Sequence, residues 1–224
     1  MIVLGFDTAT AATAVGLLDT GAPADAAERR HDPPAGDRPG HAPRLLALAH
    51  ELLAERGLAF ADVDRIAVGL GPGGFTGLRI GVATARALAQ AAGAEIVGVS
   101  TLQALAGGAH PAAGQGVLAV VDARRGEVFV GAWRGDEQVL GPLAVAPSQV
   151  ASVAGSGWLA VGDGALRFRG DLEGAGCLVP EDGSEQHAVS GLVVCRLGTL
   201  ARSTKRDLVI PDYLRKPDAV PSKP

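Results

Sequence analysis

Between residues 65 and 92 the hydrophobic pattern changes its period. Ile66, Val68 and Leu70 alternate with Ala67 and Gly69, which predicts a strand over 65–70 with one bulky face. The loop Gly71-Pro72-Gly73-Gly74 interrupts it, and an Ala-rich run at helical spacing predicts a helix over 76–92. On that helix Gly77, Gly81, Ala85 and Ala89 recur every fourth residue as a smooth strip, while Arg79, Ala83, Arg86 and Gln90 make a narrow polar stripe. The apolar and small arc is wider than the roughly 100° that packing on one sheet requires, so a second layer is expected against it. That layer is either a neighbouring helix or another protein. Gly77 and Gly81 each cost the helix about 0.8–1 kcal/mol relative to Ala, a cost that a close approach to their backbone would explain.

The remaining pattern repeats the same grammar. Residues 2–6 read as an apolar strand ending at Asp7, 13–18 as a second strand and 26–31 as a short third, within a stretch rich in Pro and Gly from 20 to 40. Leu45, Leu46, Leu48, Ala49, Leu52 and Leu53 share one face, which predicts a helix over 43–56 with Pro43 in its first turn and Gly57 past its end. A strand over 95–99 and a brief helix over 102–106 follow. Strands over 116–121 and 127–133 form a second hairpin, with a further strand over 138–143, a short helix after Pro147 and a strand over 158–161 that runs into a turn at Gly162-Asp163-Gly164. A helix over 187–202 and a Pro-rich tail from Pro211 end the chain. Hairpin, third strand, helix and strand, followed by a reduced second copy, predict an α/β chain in two related halves: 1–100, carrying the partner-binding helices, and 101–224, made of a smaller α/β subdomain and the Pro-rich tail. This is the actin-like or hexokinase-like duplicated ribonuclease-H-like pattern.

Composition narrows the function classes. At 224 residues and 47% hydrophobic content the chain can bury a sizeable core. A net charge of −4 argues against gripping a nucleic-acid backbone unaided, so an RNA link is expected to run through a partner. The apolar run 80–92 is short and broken by Arg86 and Gln90, so no membrane span is predicted. The opening Met1-Ile2-Val3-Leu4-Gly5-Phe6 has no basic segment and reads as a strand rather than a leader. Cys177 and Cys195 have no paired spacing, which points to a reducing cytoplasm and to no disulfide or zinc scaffold.

Candidate chemistry sits at strand ends. Actin-like and hexokinase-like ATPases coordinate magnesium and phosphate at an acid followed by hydroxyls after the first strand. Asp7, Thr8 and Thr10 occupy those places here, with Ala9 where a glycine is usual. The other reading is that these side chains bond the turn's own backbone. Gly73 and Gly74 lie ahead of a helix N-terminus that could hold an anion, although Leu78 and Arg79 follow Gly77 where a P-loop needs Lys and Ser or Thr. Asp122, beside Arg124, Arg125 and Glu127, either contacts nucleotide or RNA or pairs within its own charged turn. Asp7, Thr8, Thr10, Gly73, Gly74 and Asp122 are thus the candidate nucleotide-binding set. His41 and His50 are too far apart to share a helical face as metal ligands do, and read as surface or capping residues; no metal site is predicted. No serine, histidine and aspartate set marks a peptidase.

Several stretches together carry a family resemblance: Asp7-Thr8-Ala9-Thr10, His41-Ala42-Pro43-Arg44-Leu45-Leu46, the run from Gly69 to Gly81, Asp122-Ala123-Arg124-Arg125-Gly126-Glu127-Val128 and Tyr213-Leu214-Arg215. Over nearly its full length the chain resembles the TsaB (YeaZ) family. The resemblance implies a non-catalytic subunit of the machinery that places threonylcarbamoyl on the adenosine beside the anticodon of tRNAs reading codons that begin with A. It implies heterodimerisation with the catalytic paralog TsaD, which carries a metal site with histidines four residues apart, and joining of the small ATPase TsaE. The family's heterodimer contact corresponds here to helices 43–56 and 76–92, and the expected interface is Leu45, Leu48, Leu52, Gly77, Gly81, Ala85 and Ala89. The same helices could pair with a second copy of the chain. No cofactor is implied for the subunit itself; ATP and magnesium enter with the complex, and tRNA is reached through it. Gly74 departs from the family pattern, which has Ser. The rival expectation is an independent ATPase using Asp7, Thr8 and Thr10.

Overall fold

A computed structural model describes residues 1–34 and 36–215. The first sheet contains β1 (Ile2–Asp7), β2 (Thr13–Asp19), β3 (Ala27–His31), β4 (Arg65–Gly69) and β5 (Glu95–Val99), in the order β3-β2-β1-β4-β5. β1 to β3 are antiparallel neighbours, and β4 and β5 run parallel to β1. The second sheet contains β6 (Val117–Arg124), β7 (Glu127–Arg134), β8 (Glu137–Val145) and β9 (Leu159–Val161), in the order β8-β7-β6-β9, with β9 parallel to β6. The second sheet therefore repeats the first without its fifth strand.

Alternation along the strands sorts side chains into layers. On β1, Leu4 and Phe6 point with Val15, Leu17, Ile66 and Val68 into a core under α1 (His41–Ala54) and α2 (Phe75–Ala92). Val3, Ala67 and Val97 point the other way, against α3 (Thr101–Gly107) and α7 (Gly191–Leu200), in a core shared with Val117, Ala119, Val121 and Phe129 of the second sheet. The far face of the second sheet is covered by α4 (Val150–Ala154), α5 (Asp163–Arg167) and α6 (Arg169–Gly174). Five layers result: helices, sheet, helices, sheet, helices. Both faces of the inner strands β1, β2, β4, β6 and β7 are covered, which accounts for their apolar sequences, while the edge strands β3 and β8 are largely exposed.

The layer between the sheets is tight because two glycines face each other. A Cβ on Gly191 at the start of α7 would sit 2.3 Å from the Gly16 nitrogen, and one on Gly16 would sit 2.3 Å from the Gly191 carbonyl carbon. α7 thus returns from the second half of the sequence to pack on β1 and β2.

Some expected elements shift. The 162–164 turn is the start of α5, with Gly162 at φ 118° preceding it. α7 begins at Gly191 rather than 187, because Ser190 Oγ accepts from Val193 N and fixes the helix start there. Residues 185–187 are a separate 3-10 turn. α6 was not foreseen in the sequence. Of the Pro-rich tail, residues 216–224 lie outside the described residues. No helix among the described residues is long and apolar enough to cross a membrane.

Candidate functional site

The parallel strands β1 and β4 of one sheet and β6 and β9 of the other end at a common cleft of about 1120 Å³. Clefts outside the carboxyl ends of parallel strands are the usual binding place in α/β folds. Thr8, Thr10, Gly73, Gly74 and Asp122 line it. Asp7 lies behind the lining, only 1% exposed.

Asp7 is held by the chain itself. Its Oδ1 accepts from Ala9 N at 2.7 Å and its Oδ2 from Thr101 Oγ1 at 2.6 Å. Thr101 Oγ1 in turn accepts from Gly71 N at 3.1 Å. A Cβ on Gly69 would overlap the carboxylate at 1.8 Å, so the glycine at the end of β4 makes the space that Asp7 fills. Burial raises its carboxyl above the ordinary carboxylate range, against the lowering effect of the Thr101 and Ala9 hydrogen bonds. Thr8 is equally committed: its Oγ1 donates to Gly77 O at 2.8 Å, while Ala9 O accepts from Gly74 N at 2.6 Å. The loop after β1 is thereby zipped onto the start of α2. A magnesium and phosphate site needs an acid that faces the ligand, and Asp7 and Thr8 as they stand do not fit one. Thr10, Gly73 and Gly74 remain on the cleft surface.

Across the cleft, Asp122 is also engaged. Its side chain is 5% exposed, and it accepts from Arg124 N at 2.9 Å, Arg124 Nη1 at 3.1 Å and Arg167 Nη1 at 2.7 Å. Asp122 N donates to Asp163 Oδ1 at 2.9 Å, and burial raises the Asp163 carboxyl. Asp122 is thus paired both within its own turn, through Arg124, and with Arg167 of α5. Arg125 and Gly126, at φ 56° and 77°, make the two-residue hairpin that joins β6 to β7.

The expected interface residues divide by face. Leu45, Leu52, Gly77, Gly81, Ala85 and Ala89 are buried in the chain's own core, and Leu48 is half-buried. The glycines receive the loop after β1: a Cβ on Gly77 would lie 2.0 Å from Thr8 O, and one on Gly81 would lie 2.4 Å from Thr8 Oγ1. The close approach that their cost foretold is made by this chain. The outward face of the same two helices carries Leu46, 45% exposed, together with Phe75, Arg79, Ala83 and Ala87.

Two features were not found from sequence. His41 is a buried residue at the first position of α1, not a surface one, with its Nδ1 2.9 Å from Thr13 Oγ1. Burial lowers its pKa, and the neighbouring His31 lowers it further. His50 is exposed as expected. Tyr213, the single tyrosine of the chain, packs on Phe75 with ring centroids 5.1 Å apart and accepts from Arg79 Nε at 3.0 Å. Its place in Tyr213-Leu214-Arg215 was the only signal.

Comparison with known proteins bears directly on this geometry. The chain is 36% identical over 178 residues to the Escherichia coli tRNA threonylcarbamoyladenosine biosynthesis protein TsaB, covering 73% of this chain and 72% of that one. The chain belongs to the TsaB (YeaZ) family. An uncharacterized protein of Mycobacterium tuberculosis is 34% identical over 230 residues, 98% of this chain and 94% of its own length. The structure of YeaZ from Pseudomonas aeruginosa superposes with a TM-score of 0.75 at 27% identity, covering 95% of this chain and 100% of that one. A family profile described as TsaD, tRNA N6-adenosine threonylcarbamoyltransferase, matches residues 34–158. The duplicated sheets are the actin-like, hexokinase-like architecture of this TsaB family, with the second copy reduced.

Proposed function

We propose that this chain is a non-catalytic subunit in the biosynthesis of threonylcarbamoyladenosine in tRNA, acting by heterodimerising with the catalytic paralog TsaD. The observation that carries the reading is the match to the Escherichia coli protein named for that pathway over most of both chains. The engagement of Asp7 and Thr8 within the fold supports a scaffold over an independent ATPase. TsaE joins the complex, and tRNA is reached through it. Docking uses the outward face of α1 and α2, with Leu46, Phe75, Ala83 and Ala87 as contacts and the buried glycine and leucine strip as the support behind them. The same face is the one through which a homodimer would form, so self-association and TsaD binding compete.

Reconstitution tests this. Purified TsaD, TsaE, the threonylcarbamoyl-adenylate synthase and tRNA are incubated with and without this chain, and the modified nucleoside is quantified by mass spectrometry. Product is expected only when the chain is present. Full modification in its absence, or transfer by the chain without TsaD, overturns the reading.

A further inference from the structure

Residues 209–215 cross the mouth of the cleft from one sheet to the other. Val209 is buried in the core under α1 and α2. Asp212 N donates to Leu70 O at 2.8 Å, at the end of β4. Tyr213 then seats on α2, against Phe75 and under hydrogen bond from Arg79, whose guanidinium lies 3.8 Å over the Phe75 ring. Leu214 packs on the core between the sheets. Arg215 reaches the second sheet, donating from Nη1 to Ala123 O at 3.1 Å and pairing with Glu127, both in the β6–β7 hairpin. Asp212, Tyr213, Leu214 and Arg215 all line the cleft.

We propose that this segment is a latch across the cleft, hinged at Val209, with Tyr213 as its catch on α2 and Arg215 as its catch on the β6–β7 hairpin, and that it opens as one unit. Its anchoring is graded. Val209 is fully packed, whereas the far end is held by the partial packing of Leu214, one hydrogen bond and a half-buried ion pair, a weaker class of contact. Such a segment populates an open state that a ligand can select. Tyr213 occupies Phe75 and Arg79, which stand on the outward first turns of α2. Resting on the docking reading above, a partner that takes these two side chains releases Tyr213 and uncovers the cleft.

The single tyrosine makes the state readable. Incorporation of 3-fluorotyrosine gives one fluorine resonance, and Phe75→Ala supplies its position when Tyr213 is unseated. In Arg215→Ala, folded by circular dichroism, the resonance is expected to move towards that unseated position, although the contacts removed are those to the β6–β7 hairpin. A resonance that stays at the wild-type position shows Tyr213 seated independently and overturns the latch. Adding purified TsaD to the wild-type chain is the second arm. The resonance is expected to move to the unseated position, and Arg215→Ala is expected to bind TsaD severalfold tighter because its open state is already populated. Complex formation without either change overturns the coupling between docking and release. Absence of any complex by size-exclusion chromatography counts against the docking reading alone, and the first arm still decides the latch.

Discussion

Asp7 accepts two hydrogen bonds and exposes almost no surface, so its carboxylate oxygens are satisfied inside the chain. Because its pKa is raised on folding, the folded state binds the proton more tightly than the unfolded one, and Asp7 adds stability as pH falls through the raised value. Desolvation penalises its charged form by more than the Thr101 and Ala9 bonds favour it. Asp7→Asn is therefore expected to stay within about 1 kcal/mol of wild type in chemical denaturation at pH 7, whereas Asp7→Ala leaves Ala9 N and Thr101 Oγ1 unpaired and costs about 1–3 kcal/mol for each. A loss in Asp7→Asn as large as in Asp7→Ala would show that the charge itself is needed. His41 has the opposite sign. Its folded pKa lies below the ordinary value of about 6.5, so the unfolded chain takes up the proton first and stability falls as pH drops through that value. The melting temperature of wild type is expected to fall more between pH 7.5 and 5.5 than that of His41→Gln; parallel profiles would remove His41 from the account. The sequence offered both readings of Asp7, ligand or brace, and local pattern could not choose. Thr101, 94 positions away, and the space left by Gly69 make the choice.

α2 shows the same division at the level of an element. Its boundaries were legible within a residue, because the glycine loop and Gly93 mark its ends and its apolar arc is continuous. The width of that arc foretold a second layer, and α1 supplies one, with the loop after β1 laid into the glycine strip. A period of four says that something comes close; it does not say what. Gly81→Leu drives its side chain into Thr8 Oγ1 and is expected to destabilise the isolated chain by about 1–3 kcal/mol or more. Ala83→Arg, on the outward face, is expected to leave the melting temperature unchanged and to abolish co-purification with TsaD. A stable Gly81→Leu protein would mean that the loop yields, and an Ala83→Arg protein that still binds TsaD would move the docking face elsewhere. α5 and the late start of α7 were missed for a related reason, since Gly162-Asp163-Gly164 carries turn residues and 187–190 carries helix-compatible ones. Their states are set by caps and by packing on the second sheet.

Across the whole molecule, two sheets with one pattern, order β3-β2-β1-β4-β5 and order β8-β7-β6-β9, converge their parallel strand ends on one cleft. α7 packs on the first sheet although it follows the second in sequence, so the two sheets share a core, with Gly16 and Gly191 in close backbone approach. Gly16→Ala is expected to lower the melting temperature strongly, because the added methyl meets backbone that cannot rotate away; a change within error would show that α7 can lift from the sheet. By itself the sequence determined the strands and the longer helices, the duplicated pattern, the glycine loop and the family, since these rest on local periodicity, turn chemistry and residue order. Only the tertiary structure decided that Asp7 and Thr8 face inward, that the glycine strip is filled by the chain's own loop, and that Tyr213 and Arg215 span the cleft. Each of those depends on which distant backbone arrives within hydrogen-bonding or van der Waals distance, a quantity set by the packing of layers and absent from any local pattern.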